Sequence, residues 1–184
     1  MRTLLTAFLV WAIYPLWLVA GFFDYLSHRR THIEATSGAT ESWLHLAQFL
    51  SLGFPLILVT FFEMTPLLLA IVASSVLLHT ALGFADVAYT EGRRRIHPFE
   101  QHVHGFMTVL PIVAVGLLVV LRWEDIRASE WLLQTRSDPL PRMKAALLLT
   151  SYFTLAGVPI IEELVRTSRN GHVLAQAAGQ VARR

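Results

Sequence analysis

An all-α, polytopic transmembrane helical bundle is the fold this sequence predicts, and three observations predict it. Of 184 residues, 54% are hydrophobic and only 15% charged, with a mean hydropathy of +0.53. A soluble domain carries about 25% charged residues. The apolar residues fall in blocks close to the roughly 20 residues a helix needs to cross a bilayer. The ionisable residues gather at the ends of these blocks, and all but one of the eight histidines lie between Asp24 and His104. No shift in composition marks a second domain, so 1–184 is read as one integral membrane unit.

The first span is expected at about 3–27. Its apolar run, Leu4 to Leu26, is longer than a signal-peptide core and has no small-residue cleavage pattern, so it is read as a mature helix. Pro15 is expected to kink it. A polar segment with Arg29, Arg30, Glu34 and the Ser37-Gly38 turn follows. Thr40 suits the N-cap of a second span over about 41–62, with a bend at Gly53 and Pro55. The short turn Glu63-Met64-Thr65 leads to Pro66, a good first residue for a third span over 66–89. Glu91 to His97 is a second arginine-rich loop, and Pro98 opens a fourth span over 98–121. Residues 123–134 mix Trp123, Ile126, Trp131 and Leu132 with charges, as an amphipathic interfacial helix does. Asp138-Pro139-Leu140-Pro141 breaks it. A short fifth span is expected at 145–161 and a polar, frayed tail at 162–184.

The Arg29–Arg30 and Arg93–Arg95 loops fall on one side if four helices span. Basic residues in short loops stay in the cytoplasm, which places that side in the cytoplasm of a bacterial inner membrane. Arg122, Arg127, Arg136, Arg142 and Lys144 on the other side pull against this orientation. The formal charge of +2, carried by runs of two or three arginines, suits contact with anionic lipid rather than nucleic acid. The absence of cysteine excludes disulfides, iron–sulfur clusters and thiolate catalysis.

Four helix ends then meet at one face. Asp24 and His28 are spaced i,i+4, as are Glu41 and His45, and Glu100 and His104; His79 and Asp86 are spaced i,i+7. Such residues share a helix face, so each helix offers a carboxylate and an imidazole to a common interior. Oxygen and nitrogen donors on four helices are what di-iron and di-manganese bundles use, and without thiolates iron, manganese or zinc fits best. His79 lies about 10 Å deeper than Asp86 at 1.5 Å per residue, which suggests His79 as a ligand and Asp86 as the partner of a neighbouring imidazole or of another cation. Gly83 between them leaves room for a metal or a close helix. His32, His97 and His102 are additional candidates. His104 is preferred to His102 because it is in phase with Glu100. Arg93 to Arg95 are read as topology determinants.

Asp24-Tyr-Leu-Ser-His28-Arg-Arg-Thr-His32 and His97-Pro-Phe-Glu-Gln-His102-Val-His104 resemble the histidine boxes of integral-membrane desaturases and hydroxylases. The second segment is also similar to one in a group of small bacterial membrane proteins with a His-Pro-x-Glu-Gln-His pattern. The first resemblance implies a di-iron centre on the cytoplasmic side, dioxygen, an electron donor and a lipid-like substrate. The chain departs from that family in lacking an adjacent His-His pair and in offering several carboxylates. Three other expectations stand beside it. One is a zinc-dependent hydrolase with Glu41 or Glu100 accepting a proton from bound water. Another is a haem held by His45 and His104, and the last is a metal-binding protein without enzymatic activity.

Overall fold

Each apolar block of the sequence becomes a helix. A computed structural model describes the backbone of residues 1–181 and the side chains of residues 1–171. Five helices are long and apolar enough to cross a membrane: α1 (Arg2–Thr31), α2 (Ala39–Phe61), α3 (Pro66–Thr90), α4 (Pro98–Ala128) and α5 (Arg142–Gly171). The backbone of α5 stays helical to Val181. No strand forms among the described residues; an isolated bridge joins Phe62 to Thr135. Large apolar side chains such as Trp11, Leu77 and Phe84 point outward, as they do in a bundle whose solvent is lipid.

Prolines shape two helices in the same way. Leu9–Ile13 and Phe153–Gly157 are π-turns, and each contains the residue four positions before a proline, Trp11 before Pro15 and Leu155 before Pro159. Proline cannot donate to that carbonyl and its ring crowds it, so the widened turn accommodates the ring. In α2, Gly53 serves a close approach. A Cβ there would come within 2.9 Å of the Tyr152 ring, and the Tyr152 hydroxyl donates to the Phe49 carbonyl at 2.5 Å.

Some boundaries differ from those expected. The α2 helix starts at Ala39, with Gly38 as N-cap at φ 71°, a conformation that costs glycine little; Thr40 therefore lies inside the helix. The turn before α3 forms as expected, with the Thr65 hydroxyl accepting from Leu68 N at 3.2 Å. No separate interfacial helix forms over 123–134. With no glycine or proline to stop it, α4 continues to Ala128 and buries Ile126 against Met64, Leu68 and Val72. Residues 129–141 are irregular and are pinned to the α2–α3 turn. Glu63 N donates to the Gln134 carbonyl at 2.7 Å, Arg136 N to that of Phe61 at 3.0 Å, and the Thr65 hydroxyl to that of Leu132 at 2.7 Å.

The fifth helix is much longer than 145–161. Residues 162–171, expected in a frayed tail, form helix held by side-chain bonds to α1, α2 and the loop between them. Glu162 accepts from Tyr25 at 2.9 Å and from Arg29 at 3.0 Å. Arg166 pairs with Glu34, the Asn170 amide donates to the Glu34 carbonyl at 2.8 Å, and Thr167 donates to Ser42 at 3.1 Å. Residues 182–184 of the expected tail lie outside the described residues.

Candidate metal centre

Up-and-down connectivity brings the end of α1, the start of α2, the end of α3, the start of α4 and the later half of α5 to one face. Short connections fix these ends. The α1 helix stops at His32, whose left-handed φ of 51° is uncommon for a side-chain-bearing residue. Gly38 reverses the chain, and Ile33, fully buried, anchors the link. Asp24, His28, Glu41, His45, Asp86 and Glu100 converge here and are buried, with His104 half-buried beside them. A residue that sequence reasoning did not single out, Glu163 of α5, completes the cluster and is also buried.

Glu163 sets the chemistry of two imidazoles. His28 Nδ1 donates to Glu163 Oε2 at 2.9 Å and His45 Nδ1 to Glu163 Oε1 at 2.6 Å. The rings stack with centroids 4.5 Å apart and planes 4° from parallel. A carboxylate only accepts, so each Nδ1 carries the proton and, on a neutral ring, each Nε2 presents a lone pair. His28 Nε2 has no hydrogen-bond partner among the described residues. It faces three carboxylate oxygens, Glu100 Oε1 at 3.4 Å, Asp24 Oδ2 at 3.5 Å and Glu41 Oε1 at 3.9 Å. His45 Nε2 faces Asp86 Oδ2 at 3.2 Å, and His104 Nε2 lies 2.8 Å from Asp24 Oδ1.

The opposite side of the cluster is closed by Arg94, whose side chain is 3% exposed. It pairs with both Glu41 and Glu100, reaching Glu100 Oε2 through Nη1 at 3.0 Å, and the Ser37 hydroxyl also donates to Glu41. Burial opposes the charged guanidinium. The bonds to Glu100 and Glu41 outweigh that and push its pKa above the ordinary value. Five buried carboxylates thus face one guanidinium. With neutral imidazoles, four formal negative charges stay unbalanced in a low-dielectric setting, which is costly without cations.

The donor atoms are close enough to share ions. One atom from each of Asp24, His28, Glu100 and His104 lies within 4.8 Å of the others, and the same holds for His28, Glu41 and His45. His28 belongs to both groups. Asp86 faces a neighbouring imidazole, with its Oδ2 3.2 Å from His45 Nε2.

His79 does not join the carboxylates. Its Nδ1 lies 3.2 Å from the Gln48 carbonyl, and it also meets the carbonyl of Met107, which Pro111 leaves without its helical donor. Gly83 lies against Gln48, so its role is close helix packing. The additional histidines point elsewhere. His32 ends α1 and bonds Glu34 at 3.2 Å; His97 accepts from Phe99 N at 3.4 Å; His102 bonds the Pro98 carbonyl at 2.8 Å.

Of the three adjacent arginines read as topology determinants, Arg94 alone enters the cluster. Glu41 and Glu100, expected as proton acceptors, are both ion-paired with it. A haem between His45 and His104 finds no slot, because the His28 ring stacks on that of His45 with centroids 4.5 Å apart. One signal could have identified Glu163: a fifth full span returns the chain to the arginine-loop side at residue 162.

Beneath the cluster is a cavity of about 60 Å³ bordered by Trp17, His28, His45, His79, Tyr152 and Glu163. No protein-family model matches the chain, and neither a curated protein nor a solved structure matches it.

Proposed function

We propose that the chain is a membrane-embedded di-metal oxidoreductase, with two iron ions as cofactors, that uses dioxygen to oxidise a lipid-like or other hydrophobic molecule. The observation that carries this is the surroundings of His28 Nε2. It is a buried lone pair facing three carboxylate oxygens, two of which, Glu41 Oε1 and Glu100 Oε1, also accept from Arg94 while Asp24 Oδ2 does not, and a cation is what such an arrangement attracts. With metal–ligand bonds near 2.1 Å, adjacent ligands of one ion lie about 3 Å apart. The separations of 2.8 to 3.5 Å among Asp24, His28, Glu100 and His104 are close to that.

One ion would take Asp24, His28, Glu100 and His104; the other would take Glu41, His45 and Asp86. Two divalent ions would cancel the four unbalanced negative charges. Glu163 would orient both imidazoles and fix their tautomer, the usual task of a carboxylate behind a ligating histidine. Oxygen and nitrogen donors without thiolate suit iron or manganese, and a surplus of anionic ligands favours the more highly charged, oxidised ion. Hydroxylation of a C–H bond would consume one dioxygen, two electrons and two protons and release one water. A one-electron donor would supply the electrons at the arginine-rich face. Basic residues in the loops beside the cluster support its placement at the cytoplasmic face of a bacterial inner membrane.

The test is anaerobic loading of purified protein with ferrous iron, removal of free ion and measurement of bound iron. About two equivalents per chain are expected in the parent. His45→Ala and Glu100→Ala should each lose at least one. Less than one equivalent in the parent, or zinc retention with no dioxygen uptake by reduced, iron-loaded protein, overturns the proposal.

A further inference from the structure

The half of the bundle away from the cluster holds a larger space than the one beneath His28 and His45. A cavity of about 260 Å³ is walled by residues of all five helices, among them Ile13, Leu52, Val76, Leu110 and Ala114. Its lining is nearly all apolar. The Thr60 hydroxyl is spent on the Leu56 carbonyl at 2.7 Å and the Tyr14 hydroxyl on the Leu148 carbonyl at 2.6 Å. The one charged group in the lining is Arg136.

Arg136 is short of acceptors. Its Nη2 donates to the Val59 carbonyl at 3.3 Å, while its buried Nε has no partner among the described residues. The nearby Glu63 is engaged elsewhere, accepting from the Ser137 amide at 2.9 Å and the Ser137 hydroxyl at 3.0 Å. Burial, with Arg122 adding to it, draws the Arg136 pKa below its ordinary value despite Glu63 and Asp138. A carboxylate is the natural complement of a guanidinium in this state.

At the far end of the cavity stands Trp17, which also borders the smaller space beneath His28, His45 and Glu163. Its indole Nε1 is buried without a partner among the described residues, and its ring stacks on Tyr152 with centroids 5.6 Å apart. From Thr60, beside the cavity's charged end, to His45 is fifteen residues of α2, on the order of 22 Å. The two cavities, with Trp17 as their shared wall and one cation at the outer mouth, together cover this length and match a single chain bearing one anionic end.

We infer that this cavity binds a long-chain carboxylate, its head on Arg136 and its tail directed past Trp17 toward the histidine–carboxylate cluster. Occupancy rests on the cavity alone; only the chemistry at the tail end rests on the function proposed above.

The experiment measures tryptophan quenching in the purified full chain by palmitate brominated at the methyl end, in detergent and with metal chelated. Saturable quenching is expected, largely lost in Trp17→Phe, and weaker with palmitate brominated beside the carboxylate. Arg136→Gln should weaken palmitate binding about tenfold or more and leave hexadecanol binding unchanged, while Arg136→Lys should recover most of the affinity. Ala114→Phe, which fills the cavity without touching a charge, should abolish quenching and serves if Arg136→Gln does not fold. Equal affinity for acid and alcohol, equal quenching from both bromine positions, or displacement of palmitate by phosphatidylglycerol but not by oleate each overturns the inference. Iron binding is measured separately, so a chain that binds palmitate but no iron overturns only the proposed function.

Discussion

At the Arg94 end of the bundle, five helices meet through carboxylates, imidazoles and one guanidinium; at the Met64 end, α2, α3 and α4 meet through side chains such as Leu68, Val72 and Ile126. The same helices run through both ends. The apolar end is held by shape, where each methyl group contributes a little and a lost one is missed only locally. The polar end is held by charge balance, where removing one partner strands several others. Packing by shape and packing by charge are thus separated along the bundle axis, and each end predicts a different response to mutation.

The largest effect should come from Arg94→Ala, which leaves Glu41 and Glu100 without their shared cation. A loss of about 3–5 kcal/mol is expected, read as thermal unfolding in detergent without added metal, and ferrous iron should restore part of it. Next is Leu68→Ala at the apolar end, where the side chain is fully buried. A loss of about 2–4 kcal/mol is expected, and bound iron in the surviving folded protein should be unchanged. Were Leu68→Ala to lower the iron content as well, the two ends would not be separable.

His32→Gly gives a sharper contrast. The left-handed backbone at His32 suits glycine, so stability should shift by less than about 1 kcal/mol. Iron content should stay at the parent level while His28→Ala, four residues earlier on the same helix, loses it. The smallest effect concerns Glu63. Its pKa is lowered chiefly by the Ser137 amide, so its contribution is present above the unfolded carboxylate pKa and fades as pH falls through the folded one. Glu63 is half-buried in a surface turn, and the difference from Glu63→Gln should stay below about 0.5 kcal/mol, seen as a loss of acid dependence in the unfolding midpoint.

Much of the fold could be read from residue order alone. Apolar block length located the spans, Pro66 and Pro98 marked two helix starts, and the i,i+4 spacing placed Asp24 with His28, Glu41 with His45 and Glu100 with His104. Other features depend on three-dimensional facts that spacing does not carry. Arg93, Arg94 and Arg95 are equivalent in sequence, and only the loop's path selects the one that turns inward. His79 shares a face with Asp86, yet a carbonyl released by Pro111 on another helix gives it a different partner. Glu163 lies beyond the last apolar stretch and beyond a π-turn, which adds a residue to the helical period, so projecting the face of 142–152 forward misplaces it.

The bond from His28 to Glu163 joins residues 135 positions apart, linking α1 to α5. Until α5 has been inserted, the stacked imidazoles lack their common acceptor. The polar centre is therefore completed only once α5 has been made, and a chain cut short before residue 163 would be released with the bundle's most demanding contacts still unmade.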